Sequence, residues 1–179
     1  MTRTAVGTES AWFDRDELEY LRSRLPILYV DIIPVRQDAS GAITEVGLLL
    51  RADGGGHIVR SIVSGRVLVR ETLRDAIMRH VEKDLGSMSF PKIPTSITPM
   101  TVAEYFPTDG PDVLFHDPRQ HAVSMVYVVP VEGECEPQED ALELSWFSVA
   151  ELREGRVLED LEKGHRILVQ RALANAGLA

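Results

Sequence analysis

SGRVLVRETLRDAIMRHVEKDLG, residues 64–86, is the stretch on which the fold turns. Its second half has the spacing of an amphipathic helix: Leu73, Ile77, Val81 and Leu85 recur every fourth residue, Met78 lies beside them, and Gly86 supplies a stop. Its first half is a loop, with Glu71 near the helix entrance, where a carboxylate meets the positive end of the helix dipole. His80 and Asp84 stand four apart, on one helix face, with Lys83 beside Asp84. A neutral imidazole and a carboxylate so placed can take part in binding manganese or zinc, or act as a base oriented by an acid. The same spacing also describes a local surface pair, and two ligands make a poor metal site.

Outward from this stretch the chain alternates strand and helix signals. Asp14 is placed to cap a short helix whose Leu18, Leu21 and Leu25 keep helical spacing until Pro26 ends it. ILYVDIIPVRQ, ITEVGLLLRA and HIVRSIV then read as a meander of three strands joined by the turns DASG and DGGG. DGGG is too short for a phosphate-binding glycine motif. After the central helix come a Pro-rich passage, a strand at TVAEYF, a long polar loop PTDGPDVLFHDPRQH, and a strongly β-prone AVSMVYVVPVEG. The acidic loop GECEPQEDA precedes LELSWFSV, a strand that runs into helical VAELREG. A final helix is expected from about Glu159 to Ala176, with Gly164 a weak point inside it. This order predicts an α/β (α+β) fold in which a mixed sheet carries helices on both faces.

At 179 residues and 44% hydrophobic, the chain suits one domain, read as residues 25–179 behind a tail and short helix at 1–24. Nineteen basic against 28 acidic residues give a net charge of -9, and no Lys/Arg block offers a footprint for a nucleic acid polymer. A small phosphorylated ligand stays compatible with that charge, because local arginines or backbone amides hold phosphate in acidic proteins. The lone Cys135 rules out an internal disulfide, and neither a leader nor a membrane span is seen, so the cytoplasm is the expected location. In the polar loop, His116, Asp117, Arg119 and His121 cluster before a buried-looking strand, and Arg119 can grip a phosphate at two points, although Asp-Pro is also an ordinary turn starter. His57 and Arg60 can reach the same side of the sheet, but alternation does not fix their face.

Gly65, Glu71, Arg79, Val81 and Gly86 fall in the register of the Nudix box, and the segment resembles it. The resemblance extends to LPILYVDIIPVRQD, DPRQHAVSMVYVVPV and ALELSWFSVAEL, covering the chain from about Leu25 to Ala176, and is nearest to a less characterised Nudix-like branch. It implies a Nudix-like α/β/α sandwich, and a pyrophosphohydrolase that cleaves nucleoside diphosphate derivatives with magnesium or manganese. The box departs from the family pattern at its carboxylates. His80 and Lys83 stand where the family has glutamates, Asp84 replaces a third, Ser87 replaces an apolar residue, and Arg70 occupies a frequent glycine position. Three carboxylates would bring a formal charge of about -3, whereas His80, Lys83 and Asp84 sum to about zero, so attraction for a dication falls with it.

The resemblance implies site roles for His80, Asp84, Glu71 and Arg79, the last two as supports of the loop; the expected cleft joins this loop-helix, with Gly65 at its start, to the polar loop cluster, whose Arg119 and His121 are read as ligand contacts. A metal, magnesium or manganese with zinc not excluded, would draw on Asp84, His80 and, from the acidic loop holding Glu136, Glu139, Asp140 and Glu143, on Glu139. Two functions remain open: binding and hydrolysis of a phosphorylated small molecule, or a catalytically silent ligand-sensing or protein-interaction module. A homodimer, joined through the strand-rich N-terminal part or the last helix, is the expected assembly.

Overall fold

The β-branched run that carries Asp31 becomes the central strand of the computed structural model, which describes residues 13–53, 55–138 and 141–178. In chain order the elements are α1 (Arg15–Arg22), β1 (Ile27–Gln37), β2 (Ile43–Ala52), β3 (Ile58–Ser61), β4 (Val63–Arg66), α2 (Leu73–Leu85), β5 (Ser89–Pro91), β6 (Thr101–Tyr105), β7 (Ala122–Gly133), β8 (Ala141–Ser148), α3 (Val149–Arg153), α4 (Arg156–Glu159) and α5 (Lys163–Asn175). They form a mixed sheet of order β3-β2-β1-β7-β5, with β4 also on β1, β6 on β7 and β8 on β2. The pair β1 and β7 is parallel, with Ile27 opposite Ala122 and Val35 opposite Pro130.

On its other edge β1 changes partner: Tyr29–Ile32 pair with β4, and Val35–Gln37 pair with β2. The predicted strand HIVRSIV is therefore two, broken at Ile62 as the chain leaves β2 and turns onto β1. That exchange separates β2 from β4 and makes room for a cleft beside Asp31.

Alternation along β1 sends its side chains to two cores, one on each face of the sheet. Val30 and Ile32 pack with Ala76, Ile77, Val81 and Leu85 of α2. Ile33 and Val35 pack with Leu152 of α3 and with Leu168, Val169 and Leu173 of α5. The architecture is thus the expected α/β/α sandwich. Each of these buried aliphatics contributes on the order of 1.5–3 kcal/mol through removal from water.

Helix α2 matches its predicted span. Thr72 and Asp75 cap its start reciprocally, and Gly86, at φ +86°, ends it in a conformation that side chains resist. Asp14 caps α1 with Glu17 in the same manner, but no residue of α1 is buried. The final helix begins at Lys163 rather than near Glu159, after the separate turn of α4. Gly164 is no weak point there. A Cβ on it would lie 3.1 Å from Phe115 Cδ1 and 3.3 Å from Tyr105 Cε1, so its small size lets α5 approach those rings.

Candidate functional site

A cleft of about 770 Å³ opens where β1 exchanges partners, between β4 and α2 on one side and the loop that precedes β7 on the other. Its first wall is built by the loop-helix of residues 64–86. Arg79 donates from Nε to Glu71 Oε1 (2.7 Å) and from Nη2 to Glu71 Oε2 (2.8 Å), while the Leu68 amide donates to the same carboxylate at 2.8 Å. The Arg79 hydrogen bonds hold the Glu71 carboxyl below its usual range, so this fork stays ionised. Arg79 Nη2 also donates to the Arg66 carbonyl at 2.9 Å. Arg70, next to Glu71, sits at φ +66°, so the loop takes the left-handed turn without a glycine, at a backbone cost of about 1–2 kcal/mol.

His80 is 5% exposed and its Nε2 lies 3.0 Å from the Arg66 carbonyl. A carbonyl only accepts, so Nε2 carries the proton and Nδ1 is left as a lone pair, buried without a hydrogen-bond partner. Burial pushes the imidazole pKa down and keeps it neutral. The ring lies against Gly65, where a Cβ would come within 1.9 Å of His80 Cε1. Gly65 therefore seats the histidine, and its φ is not in the left-handed region.

Asp84 is 2% exposed and both its oxygens are engaged. Lys83 Nζ donates to Oδ1 at 2.9 Å and Arg51 Nη2, from the end of β2, donates to Oδ2 at 3.2 Å. Among the described residues no hydrogen bond joins Asp84 to His80, and no group of three His, Cys, Asp or Glu side chains is placed to hold a metal. A hard dication asks for about six oxygen ligands. Here one carboxylate already shared by two cations and an imidazole whose proton faces a carbonyl do not fit that demand. Glu139 lies outside the described residues. Glu143 lies not in the loop but in β8, where it accepts from Ser145 and pairs with Arg60 at 3.5 Å.

The second wall contains residues that the sequence reading passed over. Asp31, 1% exposed, accepts from Ser64 Oγ at 2.6 Å and from Tyr105 OH at 2.9 Å. Burial, and then the Asp31 charge, push the Tyr105 phenol far above its ordinary range, so it remains a donor. Facing them are Asp117, Arg119, Glu162 and His165. Arg119 donates from Nε and Nη2 to the two Asp117 oxygens at 2.8 and 2.9 Å, so its fork is directed within its own loop. Burial alone would raise the Asp117 carboxyl, and the Arg119 hydrogen bonds more than offset it and hold it low.

Gln120, 2% exposed, donates to Tyr29 OH and Asp117 Oδ2 and accepts from Arg22, tying this loop to β1 and α1. His116 reaches the cleft rim, but His121 stacks on Phe106 at 4.7 Å and does not line the cleft. Arg60 lies over Phe147 and does not line it either, and His57 bonds to Asp53 at 3.3 Å in the hairpin.

Residues 8–178 match the model of a family described as a domain of unknown function, DUF4916. The chain belongs to that family. A crystal structure from Jonesia denitrificans DSM 20603, described as a possible asymmetric diadenosine tetraphosphate (Ap(4)A) hydrolase, is 52% identical, with a TM-score of 0.81 over 86% of this chain and 96% of that one. The NUDIX domain of Shewanella oneidensis NrtR complexed with ADP ribose aligns at 15% identity and TM-score 0.61, over 95% of this chain and 99% of that one. A bifunctional NMN adenylyltransferase/ADP ribose pyrophosphatase from Francisella tularensis, complexed with AMP and a Mn ion, aligns at 15% identity and TM-score 0.60, over 90% of this chain and 47% of that one. No curated protein matches. The Nudix-like fold of this DUF4916 chain is thereby shown.

Arg51, Arg79 and Lys83 line the DUF4916 cleft around α2, Arg66 extends from the same face of β4 as Ser64, and Asp31, Asp117 and Glu162 line it near Tyr105, with Arg119 on Asp117. Among the described residues, no helix is long and apolar enough to cross a membrane.

Proposed function

We propose that the cleft binds a nucleotide-derived, phosphorylated small molecule, and does so without a divalent cation at Asp84. The observation that carries this reading is the Asp84 carboxylate, buried between Lys83 and Arg51. In a Nudix-like fold the box helix brings carboxylates to a dication that neutralises phosphate. Here side-chain cations occupy that neighbourhood, and they attract phosphate oxygens directly. The dinucleotide, ADP-ribose and AMP in the descriptions of the similar structures set the ligand class: a nucleoside joined to one or more phosphates. His80 and Gly65 form the wall against which the phosphate end lies, Glu71 and Arg79 keep that wall in shape, and Arg119 closes the rim.

A second reading, metal-dependent hydrolysis of a dinucleoside polyphosphate, is favoured by the description of the 52% identical relative. Calorimetry with ADP-ribose, AMP and diadenosine tetraphosphate, in EDTA and then in magnesium, manganese or zinc, separates the two. The first predicts dissociation constants equal in EDTA and metal, with no cleavage of a phosphoanhydride bond in either case. Metal-dependent turnover that Asp84→Ala abolishes would establish the second in its place.

A further inference from the structure

Asp31 is the buried charge in this cleft that the phosphate-binding reading leaves without a task. Each of its oxygens accepts one hydrogen bond, from Ser64 at 2.6 Å and Tyr105 at 2.9 Å. Among the described residues, both of the hydrogen bonds it accepts from side chains come from neutral hydroxyls. A carboxylate offers about four lone-pair sites, so two neutral donors leave roughly one acceptor site open on each oxygen. Removing such a group from water without a full set of partners is costly, which argues for a donor supplied from outside the chain.

Two further features point the same way. Ser61 Oγ, on a residue 3% exposed that lines the same cleft, has no hydrogen-bond partner. Asp117 and Glu162 act on Tyr105 and line the cleft near Asp31, whereas Arg51 and Lys83 line it at Asp84, so a ligand that runs from Asp31 to Asp84 is hydrogen-donating at one end and anionic at the other. Three metal-ligating side chains do not converge among the described residues, which disfavours a cation as the donor.

We infer that Asp31, oriented by the positioning residues Ser64 and Tyr105, is the subsite for a vicinal diol, such as that of a ribose. Two acceptors on one rigid carboxylate match two hydroxyls on adjacent carbons. The phosphates then extend toward Arg51 and α2. This assignment rests on the proposed nucleotide-derived ligand and adds to it the group that the acidic side of the cleft selects.

The test is calorimetry of the full chain in EDTA with ADP, 2′,3′-dideoxy-ADP and inorganic pyrophosphate. A hydrogen-bonded diol on a charged acceptor predicts that wild type prefers ADP to the dideoxy analogue by roughly tenfold to a hundredfold. In Asp31→Asn that preference collapses severalfold or more, while pyrophosphate binds at least as tightly, because a negative charge has left the cleft. Tyr105→Phe, which keeps the carboxylate and loosens its orientation, narrows the preference and leaves pyrophosphate unchanged. Equal wild-type affinity for ADP and its dideoxy analogue overturns the diol subsite while leaving phosphate binding intact, and needs no variant to fold. Equal loss of all three probes in Asp31→Asn overturns it as well. Failure of wild type to bind any probe overturns the phosphate reading and this one together.

Discussion

Replacing Gly65 by alanine tests the seating of His80 by a single methyl group. The new Cβ would stand 1.9 Å from His80 Cε1, 2.3 Å from Nε2 and 2.4 Å from Nδ1, all far inside contact distance. The ring is 5% exposed and held by the Arg66 carbonyl, so it yields only by leaving its site. Overpacking of this kind costs about 1–3 kcal/mol. The lost hydrogen bond adds about 0.5–1.5 kcal/mol, for a total near 2–4 kcal/mol. For a chain of this size that lowers Tm by roughly 4–16 °C. The assay is a double-mutant cycle by thermal or urea unfolding with Gly65→Ala, His80→Ala and the pair. With the ring gone the methyl has room, so the alanine at 65 should cost less than about 0.5 kcal/mol in the His80→Ala background, a strong non-additivity between touching residues. An equal cost in both backgrounds would refute the reasoning, because Gly65 would then be needed for something other than the ring.

Further outcomes follow from the same wall. Because burial lowers the His80 pKa, helped by Arg79 and Lys83 and opposed by Asp84 and the Arg66 carbonyl, the unfolded chain takes up that proton first as pH falls. His80 thus contributes stability that is whole above about pH 6.5 and is lost as pH drops through the folded value; urea midpoints measured from pH 8 to 5 should fall below 6.5, and His80→Asn should remove that part of the slope. Arg79→Lys keeps the charge but loses the two-point fork on Glu71, and should cost about 1–2 kcal/mol and speed amide exchange at residues 66–71. Asp84→Ala deprives Arg51 and Lys83 of their shared counter-charge; a destabilisation of about 1–3 kcal/mol is expected, less than for a fully buried pair because both cations are partly exposed, and added pyrophosphate should raise its Tm more than that of wild type.

The sandwich was legible because its signals are local and strong. A four-residue apolar period with Gly86 behind it defines α2, and the β-branched runs define β1, β2 and β7 almost to the residue. The split of HIVRSIV was not legible, since one run of strand-forming residues serves either one partner or two, and the choice lies in tertiary pairing. The pairing of Glu71 with Arg79 could be anticipated from the box register. The second partner of Asp84 could not, because Arg51, unlike the adjacent Lys83, lies 33 positions away at the end of another strand. Arg119 and His121 were sensible candidates by residue type, but the neighbours that engage them, Asp117 and Phe106, depend on how the loop folds back. One signal was present and unused: Asp31, a charge inside LYVDIIPV, is costly in a central strand unless the fold gives it partners, as Ser64 and Tyr105 do.

The proposed metal-free cleft requires that Asp84 be satisfied by Lys83 and Arg51. Manganese titration of the full chain, followed by electron paramagnetic resonance of the free ion, tests it most directly. No site tighter than about 1 mM is expected in wild type, and affinity should rise when glutamate replaces His80 and Lys83. A micromolar manganese site in wild type that Asp84→Asn abolishes would contradict it.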